Sequence, residues 1–214
     1  MKLVTEPYLV QIARWPKKGR HILASYDEET IIVYQAYRPE IGQFAASNGY
    51  FGGSFSYNRM SWIKPNFLWM MYRSGWGAKV GQEVILAIRL RRSFFEEILN
   101  ECVVSSYDSR KHPSHDDWSR DLKRSSVRLQ WDPDHDPTGA KVERRAIQLG
   151  LRGQFLTRFG KEEALEILDI SSFVVEQRAF VTPSGLDRLV TPSEHVYLPE
   201  GSDVREKIGL SSAR

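Results

Sequence analysis

The chain alternates between short apolar runs and polar, turn-rich stretches, and the runs carry two different periods. "TIIVYQAY" (30–37) and "EVILAIRL" (83–90) are β-branched and aromatic with no helical stripe, and each predicts a strand. "SVRLQWDP" and "RRAIQLGL" alternate apolar with polar residues and predict two more strands; "DPDHDPTG" after the first of these is a turn. Helical spacing appears in "PEIGQFAASNG", with Pro39 at its start and Gly49 at its end, and in "RSFFEEILNEC", where Phe94, Ile98 and Cys102 share a face. A short amphipathic helix is expected around Trp118 and Leu122, and "GQFLTRFGKEEALEILDIS" predicts one helix and a closing strand. The opening "YLVQIARWPKKGRHI" reads as an extended arm broken by Pro16 and Gly19.

Strands and helices follow each other irregularly, without the steady β-α-β rhythm of a doubly wound sheet. The expected fold is therefore a single α+β domain over residues 1–180, built on a strongly bent, mostly antiparallel sheet. From Thr182 onward Pro, Ser and Gly recur, so residues 181–214 are expected to form a loosely packed C-terminal tail.

One stretch departs from this ordinary pattern. "RMSWIKPNFLWMMYRSGW" (59–76) holds three of the six Trp and three of the four Met, among two Arg and a Lys. A helix from Pro65 to about Arg73 has no polar stripe in its middle, which predicts burial on all sides. Asn66, Trp69 or Met70, and Arg73 then share a face, and a buried Arg needs an anion or several acceptors. One resolution pairs Arg73 with Glu83 or with a carbonyl at the helix end. The other makes Arg59, Lys64 and Arg73 the frame of an anion pocket walled by Trp62, Trp69 and Trp76; the Arg fork suits phosphate and the indoles suit a stacked ring.

Charge narrows the partner. A net charge of +3 permits an anionic ligand but is too small for broad binding along a duplex. A single cysteine, Cys102, excludes an internal disulfide and fits a reducing, intracellular compartment such as the cytoplasm. The first residues lack the apolar core of a signal peptide, and no window approaches the roughly 18 apolar residues of a membrane span. "HPSHDD" (His112, His115, Asp116, Asp117) sits in a Pro-broken polar loop with no cysteine near, so a solvated loop is expected rather than a metal site. "YFGGSF" has neither phosphate-loop nor dinucleotide spacing.

"VYQAYRPEI", the Trp-rich stretch, "QEVILAI", "VRLQWDP" and "RAIQLGL" together resemble the domain-of-unknown-function 4291 family of bacteria and fungi, over residues 30–172. That resemblance supplies no activity. The order of elements is also similar to the ADP-ribosyltransferase fold. This second likeness implies NAD as a ligand, with Gln35, Tyr37 and Arg38 on the first strand, Arg59 and Ser61 before the Trp-rich helix, and Gln148 on the late strand. Gln148 stands where those enzymes usually carry Glu, and a neutral amide orients without supplying charge.

The candidate catalytic residues are thus Gln148, Tyr37 and Arg59. Those expected to hold a nucleotide are Gln35, Arg38, Ser61, Trp62, Lys64, Asn66, Trp69, Arg73 and Trp76. Three readings stay open: an ADP-ribosyltransferase-like or nucleotide-binding protein, a single-stranded nucleic-acid module stacking bases on Trp62, Trp76 or Tyr57, and an interaction protein whose Trp-rich helix is only core.

Overall fold

The computed structural model describes residues 3–211. Its first half runs β1 (Thr5–Pro7), α1 (Tyr8–Arg14), β2 (Gly19–Arg20), β3 (Ile22–Ala24), β4 (Thr30–Tyr37), α2 (Pro39–Asn48), β5 (Ser61–Ile63), α3 (Phe67–Ser74), β6 (Val84–Arg91), α4 (Arg92–Glu101) and β7 (Val103–Val104). The second half runs α5 (His115–Arg124), β8 (Val127–His135), β9 (Lys141–Leu151), α6 (Gly153–Arg158), a π-helical turn (Phe159–Glu163), β10 (Ala164–Asp169), α7 (Ser171–Arg178), β11 (Val190–Pro192), β12 (His195–Tyr197) and α8 (Ser202–Ile208).

Two sheets carry the fold. One has the order β10-β6-β4, antiparallel throughout. The other has the order β2-β9-β8-β7, with β5 also laid antiparallel on β9. A bridge between Tyr34 and Lys64 joins β4 to the end of β5, so the two sheets curl into one another. Most pairings are antiparallel; β2 with β9 and β7 with β8 are parallel. This is an α+β domain on curled, mostly antiparallel sheets.

β4 and β6 read as unbroken apolar runs because both their faces are buried. Ile31 and Val33 of β4 pack into one core with Ile147 and Leu149 of β9 and Phe94 and Phe95 of α4. Ile32 and Tyr34, on the other face, pack into a second core with Phe67 and Met71 of α3 and Val174 of α7. β8 alternates over Val127–Asp132, and β9 does so around Gln148: Leu129, Trp131, Ile147 and Leu149 are buried, while Gln130, Asp132 and Gln148 between them stay partly open. Cys102 is fully buried, and its thiol donates to the Leu99 carbonyl.

Three expectations change. The opening arm is not extended: Tyr8, Gln11 and Trp15 recur on one helical face and are buried, and that burial organises α1. The Trp-rich helix starts at Phe67 rather than Pro65, because Asn66 is its N-cap, with Oδ1 accepting the Trp69 N–H at 2.6 Å. The segment expected as a loose tail is packed along its described length. β11 pairs with β1, β12 pairs with β3, and Leu189, Thr191, Glu194, Tyr197 and Ile208 are buried. Its Pro, Ser and Gly residues mark turns between short elements. No helix among the described residues is long and apolar enough to cross a membrane.

Candidate functional site

The curl of the two sheets leaves a cleft of about 590 Å³. Gln35 and Tyr37 enter it from one side of β4, two residues apart as strand geometry requires. β5 contributes Ser61 and Trp62, and Lys64 follows at the bridge to Tyr34. Arg73 comes from the last turn of α3 and Arg59 from the loop before β5. Gln148 of β9 and Gln130 of β8, directly opposite each other in the ladder, complete the lining.

The polar groups form two small networks. Gln35 donates through Nε2 to Ser61 Oγ at 2.9 Å and to the Trp62 carbonyl at 3.2 Å, while its Oε1 is buried without a partner. The Tyr37 and Ser61 hydroxyls lie 2.7 Å apart. Burial pushes the Tyr37 phenol up to about 12, so it is a neutral hydroxyl at physiological pH. Across the cleft, Gln148 and Gln130 each donate through Nε2 to Asp132, at 2.8 Å to Oδ2 and 2.8 Å to Oδ1.

Three cations overlook these networks without a counter-ion. Among the described residues, Arg59, Lys64 and Arg73 form no ion pair and no side-chain hydrogen bond. Glu83, the expected partner of Arg73, instead accepts the Gly81 N–H at 2.8 Å. Arg73 and Arg59 are exposed at the rim, so the expectation of a buried Arg73 is corrected: the helix buries its middle and releases its last turn to solvent. Lys64 is the buried one, 4% exposed. Burial first, then repulsion by Arg73, lowers its ammonium to about 8, against the pull of Asp132.

Not every candidate reaches the cleft. Trp69 is buried and stacks on Tyr72 and His135, with centroids 5.3 Å away in both cases. Trp76 is buried too, and its indole N–H donates to the Pro137 carbonyl at 3.0 Å. Asn66 is buried at the start of α3, donating to Glu194. The aromatic wall is therefore Trp62 with Phe55, not the three-Trp cage that spacing suggested. Arg38 lies in an adjoining hollow of about 550 Å³ that shares Tyr37 and Arg59 with the cleft, and it pairs with Glu40 at 3.4 Å. Gln130 and Asp132 were not singled out from the sequence. Their signal was the alternation in "VRLQWDP", which puts both on the face of β8 opposite Leu129 and Trp131.

Trp62 lies against β9 because Gly150 has no side chain. A Cβ there would stand 2.6 Å from Met60 Sδ and 3.1 Å from the indole. Gly150→Ala should therefore push both side chains into the cleft, weaken any ligand and cost about 1–2 kcal/mol, as overpacking does. Indole fluorescence with urea denaturation reads both; unchanged emission and stability would show that Met60 absorbs the added methyl.

Residues 21–197 match the model of a family described as a domain of unknown function, DUF4291. No curated protein matches the chain significantly. The match runs beyond the 30–172 stretch of visible resemblance, taking in β3, β11 and β12, which agrees with their burial. With most of its length covered, the chain belongs to the DUF4291 family.

Proposed function

We propose that the cleft binds a phosphate-bearing nucleotide, and that the ligand is NAD, used for ADP-ribosyl transfer. The observation that supports this reading is the convergence of three unneutralised cations with Trp62, Tyr37, Ser61, Gln35 and Gln148 in one cleft. Lys64 is buried without an ion pair among the described residues, which is costly and is relieved by an anionic ligand, while Arg59 and Arg73 at the rim are solvated and free to engage one. Arg59 and Arg73 suit a pyrophosphate through their planar forks, with Lys64 beneath them as a point charge. Trp62 offers a face on which a nicotinamide ring stacks. Gln148 orients the adjoining ribose.

In this reading the C1′–N bond of the nicotinamide ribose breaks and its electron pair leaves with nicotinamide. A C1′–O bond forms to an acceptor hydroxyl or to water, whose proton passes to solvent. The protein's part is positioning and electrostatics. Asp132, bonded to Gln148, brings the negative charge that a neutral amide lacks to within one side chain of the reacting sugar. Single-stranded nucleic acid is the second reading, favoured by the same cations and by the partly open Trp62.

The test is NAD binding by calorimetry together with nicotinamide release, with protein, RNA and single-stranded DNA offered as acceptors. Saturable NAD binding and a release that is lost in Gln148→Ala are expected. Absence of NAD binding, with single-stranded nucleic acid bound in a steeply salt-dependent way, would replace this reading with the second.

A further inference from the structure

Of the four glutamines that line the cleft, Gln35, Gln130 and Gln148 share one hydrogen-bonding pattern. Gln35 spends its Nε2 on Ser61 Oγ and the Trp62 carbonyl. Gln130 and Gln148 spend theirs on the two oxygens of Asp132. A carboxylate accepts and does not donate, so it dictates which end of each amide points away from it. Every Nε2 is turned into the protein. The Oε1 atoms of Gln130 and Gln148 take no bond from any described residue, and that of Gln35 is buried without a partner.

Gln130 and Gln148 are partly open to solvent, so donors of a ligand would replace water at their carbonyls. The cleft therefore suits a ligand that combines an anionic part, for the cations, with several hydroxyl or N–H donors for the carbonyls. The two amides bonded to Asp132 are the more telling pair. Gln130 and Gln148 are direct cross-strand neighbours, and one carboxylate holds both amide heads. Their free carbonyls are thus drawn close together, within reach of donors on adjacent atoms. Two neighbouring hydroxyls on a furanose present that arrangement.

We infer that Gln130 and Gln148 form a paired acceptor for the vicinal hydroxyls of a ribose, and that Asp132 is the positioning residue that keeps both carbonyls turned into the cleft. The inference rests on the nucleotide reading above and adds a selection rule to it. A 2′-deoxyribose lacks one donor, and a 2′-phosphorylated ribose replaces a donor with an anion facing Asp132. Both are rejected relative to the free diol. Asp132 acts through the amides rather than on the ligand.

The experiment titrates the full chain with NAD and with its analogue carrying 2′-deoxyribose at the nicotinamide end. Wild type should prefer NAD by about tenfold, the effect of one hydrogen bond in a partly buried site. In Asp132→Asn the new amide N–H donates to one glutamine carbonyl and turns that Nε2 outward. NAD should then weaken by about tenfold while the deoxy analogue changes little, so that the preference collapses. A purely structural role for Asp132 would lower the melting temperature and weaken both ligands alike, leaving their ratio intact; that result overturns the inference. Equal affinities in wild type overturn it as well, with the nucleotide reading left standing. If wild type binds neither ligand, both fall together. Should Asp132→Asn not fold, Gln148→Leu keeps the shape and the Gln130–Asp132 bond, and the same loss of preference is required of it.

Discussion

Lys64→Met is expected to make the ligand-free protein more stable by up to about 3 kcal/mol at pH 7 while abolishing anion binding. Lys64 is 4% exposed, and its ammonium carries no ion pair among the described residues. Burial, helped by Arg73, lowers its pKa from an ordinary 10.5 to about 8. At roughly 1.36 kcal/mol per pH unit, that gap corresponds to about 3 kcal/mol of disfavoured charge. Below pH 8 the lysine is protonated in both the folded and the unfolded chain, and the whole penalty weighs on the folded state. Between about 8 and 10.5 the unfolded chain binds the extra proton, so wild-type stability rises with pH and the advantage of the methionine variant shrinks. Urea denaturation of both proteins at pH 7 and pH 10 measures this. A Lys64→Met variant less stable than wild type at pH 7 would mean that the wild-type ammonium is paired and the cleft is not waiting for an anion. On the nucleotide reading, the unfavourable charge is the stability–activity compromise common at binding sites.

Arg144→Met should cost about 3–5 kcal/mol, the range found when one partner of a buried ion pair is removed. Arg144 and Asp134 are 5% and 1% exposed, and the guanidinium nitrogens reach Asp134 Oδ2 at 2.7 Å. The same side chain donates to the Pro16 carbonyl at 2.7 Å and lies 5.3 Å over the Trp15 ring, tying the N-terminal segment to β9. Burial holds the Asp134 carboxyl above its usual range even with Arg144 beside it. Without the arginine it rises further. The folded variant then binds a proton more readily than the unfolded chain, and its deficit narrows on acidification from pH 7.5 to 5. The double variant Arg144→Met/Asp134→Leu should recover more than half of the loss, because no buried charge is left unpaired. Urea denaturation of the four proteins gives the coupling. A double variant as unstable as the single one would place the loss in packing against Trp15.

Much of this fold can be read along the chain, for reasons particular to each element. β4, β6, α2 and α4 are long enough to carry their own period, and α2 ends at Gly49 with φ 75°, a left-handed position that glycine takes readily. The cations of the cleft were legible by density, since Arg59, Lys64 and Arg73 crowd one short stretch. Which tryptophan faces the cleft was not. Trp69 is withdrawn by His135, a contact that no local pattern announces. Asp132 was hidden among acids that read as a turn but lie in β8 as far as His135, and its proposed role follows only once Gln148 lies opposite Gln130. β1, β3, β11 and β12 span three residues each. A strand that short shows no alternation, and its partner lies at the other end of the chain.

The Glu194 carboxylate accepts the Phe67 N–H at 2.7 Å, 127 positions back along the sequence, and so closes the first turn of α3. During synthesis every residue of the cleft, from Gln35 to Gln148, is added before that closing group. Contacts of such long range form late, after the cost of closing the loop between them has been met. The helix presenting Arg73 therefore gains this anchor only after residue 194 has been added. Until residue 194 is in place, α3 lacks the carboxylate that closes its first turn, and the part of the cleft carried by that helix is less firmly held.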